Sequence, residues 1–486
     1  MATRKPLILR ASTAVLLLAT TLGGCMVGPT YRRPSAPTGA TFKEAEGWAP
    51  AHPSDAADRK DWWTVFGDPI LDDLEARVNV SNQNLVAAEA AYRQAHDLVA
   101  QDRAALFPTL NLDLSDTAAQ SGGGTSIITN GVSAGIPGSG VRTTYEPTLG
   151  ASWAPDIWGS VRRTIQGAKA SAQASAATLA NARLSAQTEM AADYILLRQY
   201  DEEHRLLQAA ADAYGRTLAI TQNKYKSGVA ARSDVLTAQS QYQSAQASVI
   251  DLIQQRAKTE HAIALLAGEA PAALTLAPAP WSLKLPEIPA SAPSTLLERR
   301  PDVASAERAV DSANAQIGVQ ISAYFPTLTL TGQGGYASSQ LGQLFNASNS
   351  FWSVGASAAE TLFDAGARAA KVRQARDAYD QAVANYRQTV LTAVGQVEDN
   401  LAAQRVLAAE QVMQKAAADS ASASETIARN EYAAGTVDFT SVVIAETTAI
   451  TARNSELGIE AERLTTAVDL IEALGGGWKV EDLPRD

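Results

Sequence analysis

The chain has 486 residues, 46% of them apolar, a single cysteine and a formal net charge of −11. Without the first 24 residues the balance is 37 basic against 51 acidic, or −14, which argues against nucleic acid as a partner because such partners demand a basic surface. One cysteine excludes an internal disulfide and makes a zinc or iron–sulfur site implausible.

The N-terminus accounts for that cysteine. Arg4, Lys5 and Arg10 form a basic segment, and Ala11 to Leu22 an apolar run of twelve residues. That is too short to span a bilayer as a helix and reads as an export signal. Leu22-Gly23-Gly24-Cys25 resembles a bacterial lipobox. Residues 1–24 are therefore expected to be a lipoprotein signal peptide, cleaved before a Cys25 that carries covalent lipid. No other cofactor is expected. Met26, rather than Asp, follows the cysteine, which favours outer-membrane sorting. Residues 25–60 are rich in Pro, Ala and charge and predict an extended leader. No later run of 18 apolar residues predicts a spanning helix.

Asp61-Trp62-Trp63-Thr64-Val65-Phe66-Gly67-Asp68-Pro69 opens the folded part, with Pro69 suited to a first helical turn and the aromatics to core packing. The helical pattern that follows has a possible break near residues 79–84 and leads to Phe107-Pro108-Thr109-Leu110-Asn111-Leu112. There the period changes from helical to two, as it does 218 residues later at Phe325-Pro326-Thr327-Leu328-Thr329-Leu330. Proline cannot continue a helix and biases the residue before it away from one, so each Phe-Pro marks a helix-to-strand switch. Strands are predicted over about 107–118 and 143–154, with a long exposed Gly/Ser/Thr/Asn loop at 119–142 between them. In the second copy they are predicted over about 325–337 and 350–361. Each strand carries one apolar and one polar face: Leu110, Leu112, Leu149 and Trp153 against Asn111, Asp113, Glu146 and Thr148, and Trp352 and Val354 against Ser353 and Gly355.

Each return strand leads into a long proline-free helix, about 160–225 and about 365–432. At about 1.5 Å per residue these run roughly 100 Å. Positions Tyr379, Val383, Tyr386, Val390, Ala393 and Val397 step by four and three, a coiled-coil-like seam that needs neighbours. Both helices end in related turns, Tyr225-Lys226-Ser227-Gly228 and Tyr432-Ala433-Ala434-Gly435, with glycine suited to a C-cap. Helical patterns resume over 233–268 and 440–474. The organisation is thus a first repeat at 61–268, a Pro/Ala-rich linker at 269–293, a second repeat at 294–475 and a tail at 476–486.

Strands with an apolar face that no helix covers suit a membrane β-barrel, and four cannot close one, so several chains must assemble. The fold class is mixed α and β: a β-barrel with four strands per chain, closed only in an oligomer, continuous with a long coiled-coil barrel and built by internal duplication. At this point the chain resembles the TolC-type outer-membrane efflux proteins, specifically their lipoprotein (NodT-type) branch. The matching residues are Cys25-Met26-Val27-Gly28-Pro29-Thr30-Tyr31, Trp62-Trp63 to Pro69-Ile70-Leu71, both Phe-Pro-Thr-Leu strands, Leu362-Phe363-Asp364, the two Tyr-x-x-Gly tips and Arg299-Arg300-Pro301-Asp302.

The resemblance implies a homotrimer in outer-membrane lipid, a periplasmic adaptor protein docking at helix tips marked by Tyr225, Gly228, Tyr432 and Gly435, and an inner-membrane pump, usually of the resistance–nodulation–division type. The chain would be a passive exit duct. It also implies a periplasmic gate near the second tip, where relatives often carry Asp before an Ala and this chain has Ile444. Asp438 and Asp234 are the candidate gate carboxylates; Asp438 reads equally well as an acidic residue at a helix N-terminus, and Asp234 reads better as one. An exit duct for a type I protein-secretion system, and a coiled-coil lipoprotein that forms no channel, are the alternative functions. An enzyme is not expected: the four histidines are scattered, and no Gly-x-Ser-x-Gly or phosphate loop appears.

Overall fold

The computed structural model describes residues 26–37, 39, 41–44, 61–120, 125–129, 132–136, 141–286 and 299–484. Cys25 and the export signal lie outside them. The helices are α1 (Pro69–Ser81), α2 (Gln83–Ala104), α3 (Ser160–Lys226), α4 (Arg232–Leu266), α5 (Pro301–Ser322), α6 (Ala367–Ala434) and α7 (Phe439–Ala473). The strands are β1 (Thr109–Gln120), β2 (Thr125–Thr129), β3 (Val132–Ile136), β4 (Val141–Trp153), β5 (Thr327–Tyr336) and β6 (Ser350–Ala359). The two long helices have 67 and 68 residues. One part of the expectation is corrected. Within the stretch expected to be loop, β2 and β3 pair antiparallel, Thr125 opposite Ile136 and Thr129 opposite Val132. Ile127, Ile128, Val132 and Ile136 supply β-branched residues that the Gly/Ser/Thr composition masked.

Two compact units are formed. The first, residues 1–33, 95–172 and 309–382, holds a four-stranded antiparallel sheet of order β1-β4-β5-β6. Its small helical core joins Val99, Ile165, Ala168 and Ala172.

The second unit, residues 34–94, 173–308 and 383–486, holds the largest core. There Trp62, Trp63 and Phe66 pack with Leu71, Leu74, Met190, Ile195, Leu197, Ile263 and Val468. The break between α1 and α2 falls at Asn82, whose Oδ1 accepts from Asn84 N (2.9 Å) and Leu85 N (3.2 Å) and so caps the new helix. Asp68 does the same for α1 at Ile70 N (2.9 Å) and also accepts from the Tyr194 hydroxyl (2.7 Å).

The linker between the repeats is strapped down by buried charge. Asp201 accepts from Arg198 Nη1 (2.8 Å), Arg256 Nε (2.7 Å) and Ala279 N (3.2 Å). Arg198 and Arg256 in turn donate to the carbonyls of Ala277 (2.9 Å) and Leu276 (2.6 Å). Composition alone reads this stretch as a spacer, yet its main chain is held by four charged side chains, the fourth being Glu260, which accepts from Leu276 N (2.6 Å). In the Arg-Arg-Pro-Asp motif, Pro301 and Asp302 begin α5, the proline at the first helical position and the acid in the first turn. Arg300 does more: it pairs with Asp302 (2.7 Å) and donates to Ala473 O (3.0 Å), joining the start of α5 to the last turn of α7.

Glu75 on α1 is fully buried among these apolar side chains, and neither carboxyl oxygen has a hydrogen-bond partner among the described residues. Burial, with a smaller contribution from Asp72, pushes its carboxyl up to about 9, so it is a neutral acid at physiological pH.

Candidate functional site

Two places carry the chemistry: the faces of the sheet and the tips of the helical hairpins. Residues directly opposite in an antiparallel pair share a face, so the register sorts every strand residue. Leu110, Leu112 and Leu114 face Ala151, Leu149 and Pro147. Ala151 and Trp153 face Gly332 and Leu330, and Leu328, Leu330, Gly332 and Gly334 face Ala358, Ala356, Val354 and Trp352. One surface of the sheet is therefore apolar from its helical end through Leu114 and Pro147, beyond which Asp116, Thr143 and Gln120 share that side with Tyr145, Ala118 and Val141. The other carries Asn111, Asp113, Ser115, Glu146, Thr148, Ser152, Thr329, Thr331, Gln333, Ser353 and Ser357.

The apolar face is bare: Leu112 is 68% exposed and Trp352 79%. Water tolerates isolated apolar residues but not a continuous face of them, which marks an interaction with lipid or protein. The outer edges of β1 and β6 have no strand beside them among the described residues. Gly335 is required where β4 crosses β5, since a Cβ there would lie 2.2 Å from Pro147 O.

Both Phe-Pro segments sit at the sheet's helical end. Trp153 Nε1 donates to Leu106 O (3.0 Å), and Trp158 Nε1 donates to Pro326 O (2.8 Å) while its ring stacks on Phe325 at 4.7 Å. Each return strand passes into its helix through an Asp–Arg staple. Asp156 accepts from Arg162 Nε (3.1 Å), and Asp364 from Arg368 Nε (2.7 Å). The turn after each return strand is thus one repeated device, Asp156 with Arg162 and Asp364 with Arg368.

At the tips, α3 and α6 close in the same way. Gly228 (φ +76°) and Gly435 (φ +80°) take left-handed backbone that glycine accepts without cost, with Gly228 N donating to Tyr225 O (2.9 Å) and Gly435 N to Tyr432 O (3.1 Å). The two tyrosines then differ. Tyr225 is exposed, whereas Tyr432 is buried with Ala238, Phe439 and Val442. The Lys224 ammonium lies 3.7 Å over the Tyr432 ring and donates to Tyr432 O (2.9 Å), and the Tyr432 hydroxyl meets Thr221 Oγ1 at 3.2 Å. The ring of Tyr432 therefore ties one hairpin to the other. Of the two tip tyrosines, only Tyr225 therefore presents its ring to solvent.

Asp438 is the N-cap of α7, accepting from Ser441 N (2.9 Å) and Ser441 Oγ (2.8 Å). Those hydrogen bonds hold its carboxyl below the usual range, so it is anionic at neutral pH. Asp234 occupies the third position of α4 and accepts from Ala231 N (3.3 Å), half of a capping box, since alanine has no side-chain acceptor to complete it. Both aspartates thus have local work at a helix start. Ile444 is 62% exposed. Farther along the hairpin lies a network that the sequence did not disclose. Arg429 pairs with Glu446 (2.7 Å) and Glu425 (2.9 Å), and Arg453 with Glu425 (3.0 Å). Burial raises the Glu446 carboxyl, opposed by Arg429. Only the three-dimensional approach of α6 and α7 reveals it, since the spacings 425–446 and 429–446 carry no motif.

Among the described residues no His/Cys/Asp/Glu group could hold a metal ion, and no helix is long and apolar enough to cross a membrane.

The family described as outer membrane efflux protein matches residues 76–269 and 292–476. The chain is 28% identical over 474 residues to the probable efflux pump outer membrane protein TtgC of Pseudomonas putida, covering 96% of each chain. It is 29% identical over 428 residues to the pyoverdine export outer membrane protein OpmQ of Pseudomonas aeruginosa, covering 88% of this chain and 89% of that one. The solved outer-membrane channel OprN superposes with a TM-score of 0.83 at 27% identity, covering 93% of this chain and all of that one.

Proposed function

The chain belongs to the outer membrane efflux protein family, and on that premise we propose that it is the outer-membrane exit duct of a tripartite efflux system. It works as a homotrimer anchored by lipid on Cys25, receiving cargo from a periplasmic adaptor and an inner-membrane pump of the resistance–nodulation–division type. The observation that carries this reading is the sheet register: a bare apolar face over the helical part of the sheet, backed by a mainly polar one, with no strand beside β1 or β6 among the described residues. In lipid every strand edge must be paired, so β6 of one copy is expected to meet β1 of the next. Their antiparallel alternation is preserved around the ring. Three copies give twelve strands, with the leucine, tryptophan and valine face to lipid and the Asn/Asp/Ser/Thr/Glu face lining a water-filled lumen. The polar wall contacts cargo loosely, and selection and energy lie with the pump.

Asp438 repeats threefold in such an assembly. A ring of permanently anionic carboxylates at a constriction favours cations. Purified trimer in a planar bilayer is expected to give discrete conductance steps, and Asp438→Asn to change their size or their cation preference. Correctly inserted protein that stays silent contradicts the duct, and traces unchanged by the substitution retire Asp438 as a gate. Tyr225, Gly228, Tyr432 and Gly435 mark the tips expected to meet the adaptor.

A further inference from the structure

The start of the leader is held where the sheet gives way to helix. Val27 N donates to Trp158 O (3.2 Å), in the turn between β4 and α3. The Arg163 side chain, on a residue only 2% exposed, donates from Nε to Val27 O (3.0 Å) and from Nη2 to Gly28 O (3.1 Å). Asn314 Nδ2 on α5 donates to Pro29 O (3.2 Å). Three glycines make the fit possible. Gly28, at φ +98°, lies so close to α5 that a Cβ on it would be 2.5 Å from Gly318 Cα. A Cβ on Gly318 would be 2.8 Å from Arg163 Nε, and one on Gly159 (φ +82°) 2.8 Å from Met26 Cα. A strap that merely lay on the surface would need neither a buried guanidinium spent on its carbonyls nor bare backbone on both sides of the contact.

We propose that Arg163, Asn314 and the glycines Gly28, Gly159 and Gly318 form a clamp for the protein's own extended leader. The clamp fixes Met26 at the strand–helix junction and thereby sets the depth at which the N-terminal anchor leaves the body. One trans peptide separates Met26 from Cys25, about 3.8 Å between Cα atoms. A diacylglyceryl group on Cys25 is therefore delivered beside the stacked rings of Trp158 and Phe325, the aromatic pair expected at a membrane boundary. The clamp acts through main-chain recognition, so Arg163 is a positioning residue and the leader side chains are secondary. What the clamp holds rests on the acylation of Cys25 proposed above; the clamp itself does not.

The decisive variant is Gly318→Ala. Alanine favours helix over glycine, so α5 is not weakened, yet its Cβ displaces Arg163 and the strap. Trypsin acting on full-length protein in detergent reads the result at the exposed bond after Arg32, the next one being protected by Pro34. The wild type is expected to keep its N-terminal fragment, and Gly318→Ala and Arg163→Gln to lose it at least tenfold faster. A non-acylated Cys25→Ser chain, exported behind an ordinary signal, should resist as the wild type does. In that background, bimane on Met26→Cys should be quenched by Trp158 and brightened by Gly318→Ala. Equal cutting of wild type and Gly318→Ala, or quenching that Gly318→Ala leaves unchanged, overturns the clamp. An N-terminal peptide mass without acyl chains overturns the anchor reading alone.

Discussion

Asp201→Ala is expected to cost about 3–5 kcal/mol, the range for breaking a buried ion pair by removing one partner. Two arginines and one backbone N–H converge on this carboxylate, whose side chain is 2% exposed. Removing it leaves Arg198 and Arg256 close together without their shared counter-charge. It also frees the main chain of residues 276–279, through which the two repeats are joined. The control is Asp419→Ala, whose pair with Lys415 is exposed on both sides; exposed pairs contribute only about 0–1 kcal/mol. Denaturant midpoints of the detergent-purified protein, or inactivation rates where unfolding is irreversible, should separate the two variants clearly. Similar losses for both would mean that the linker strap contributes little.

Glu75→Gln is expected to stabilise the protein at alkaline pH and to leave it unchanged near pH 4.5. The carboxyl titrates at about 9 when folded and at 4.5 in its ordinary state. Between these values the folded chain holds a proton that the unfolded chain has released. The protonated carboxyl's contribution is therefore complete below pH 4.5 and is lost progressively as pH rises to about 9, at up to about 1.4 kcal/mol per pH unit. At pH 7.5 the difference is as much as about 4 kcal/mol. Glutamine occupies the same volume and cannot ionise, so subtracting the variant's pH profile from the wild type's isolates this one group. Parallel profiles from pH 5 to 9 would show that Glu75 keeps its charge in the fold.

The elements whose signals are local were the legible ones. The two Phe-Pro switches, the alternation after them, the proline-free helices and the glycine tips each depend on residues within a few positions, and the strands and helices stand within a few residues of their expected places. The sorting of Leu112 and Asp113 to opposite faces followed from period two alone. What escaped the sequence depends on approach in space. Arg300 meeting Ala473, Asp201 gathering Arg198 and Arg256, and Arg429 meeting Glu446 join residues with no fixed spacing. Tyr432 shows the limit most plainly, because its motif is that of Tyr225 but its neighbours Lys224 and Thr221 come from the other repeat. The β2–β3 hairpin was hidden for the opposite reason: composition outweighed a short β-branched pattern.

The central claim is that one face of the sheet meets lipid and the other water. Leu328 and Thr329 are adjacent on β5 and lie on opposite faces, Leu328 opposite Ala358 and Thr329 opposite Ser357. Cys25 is the single cysteine of the sequence, so in a Cys25→Ser chain exported behind an ordinary signal each can be replaced by cysteine singly and treated with a membrane-impermeant thiol reagent in intact outer membranes. The account predicts fast labelling of Thr329→Cys and little labelling of Leu328→Cys. Equal labelling of the two, or the reverse order, would contradict the register and with it the assignment of the lumen.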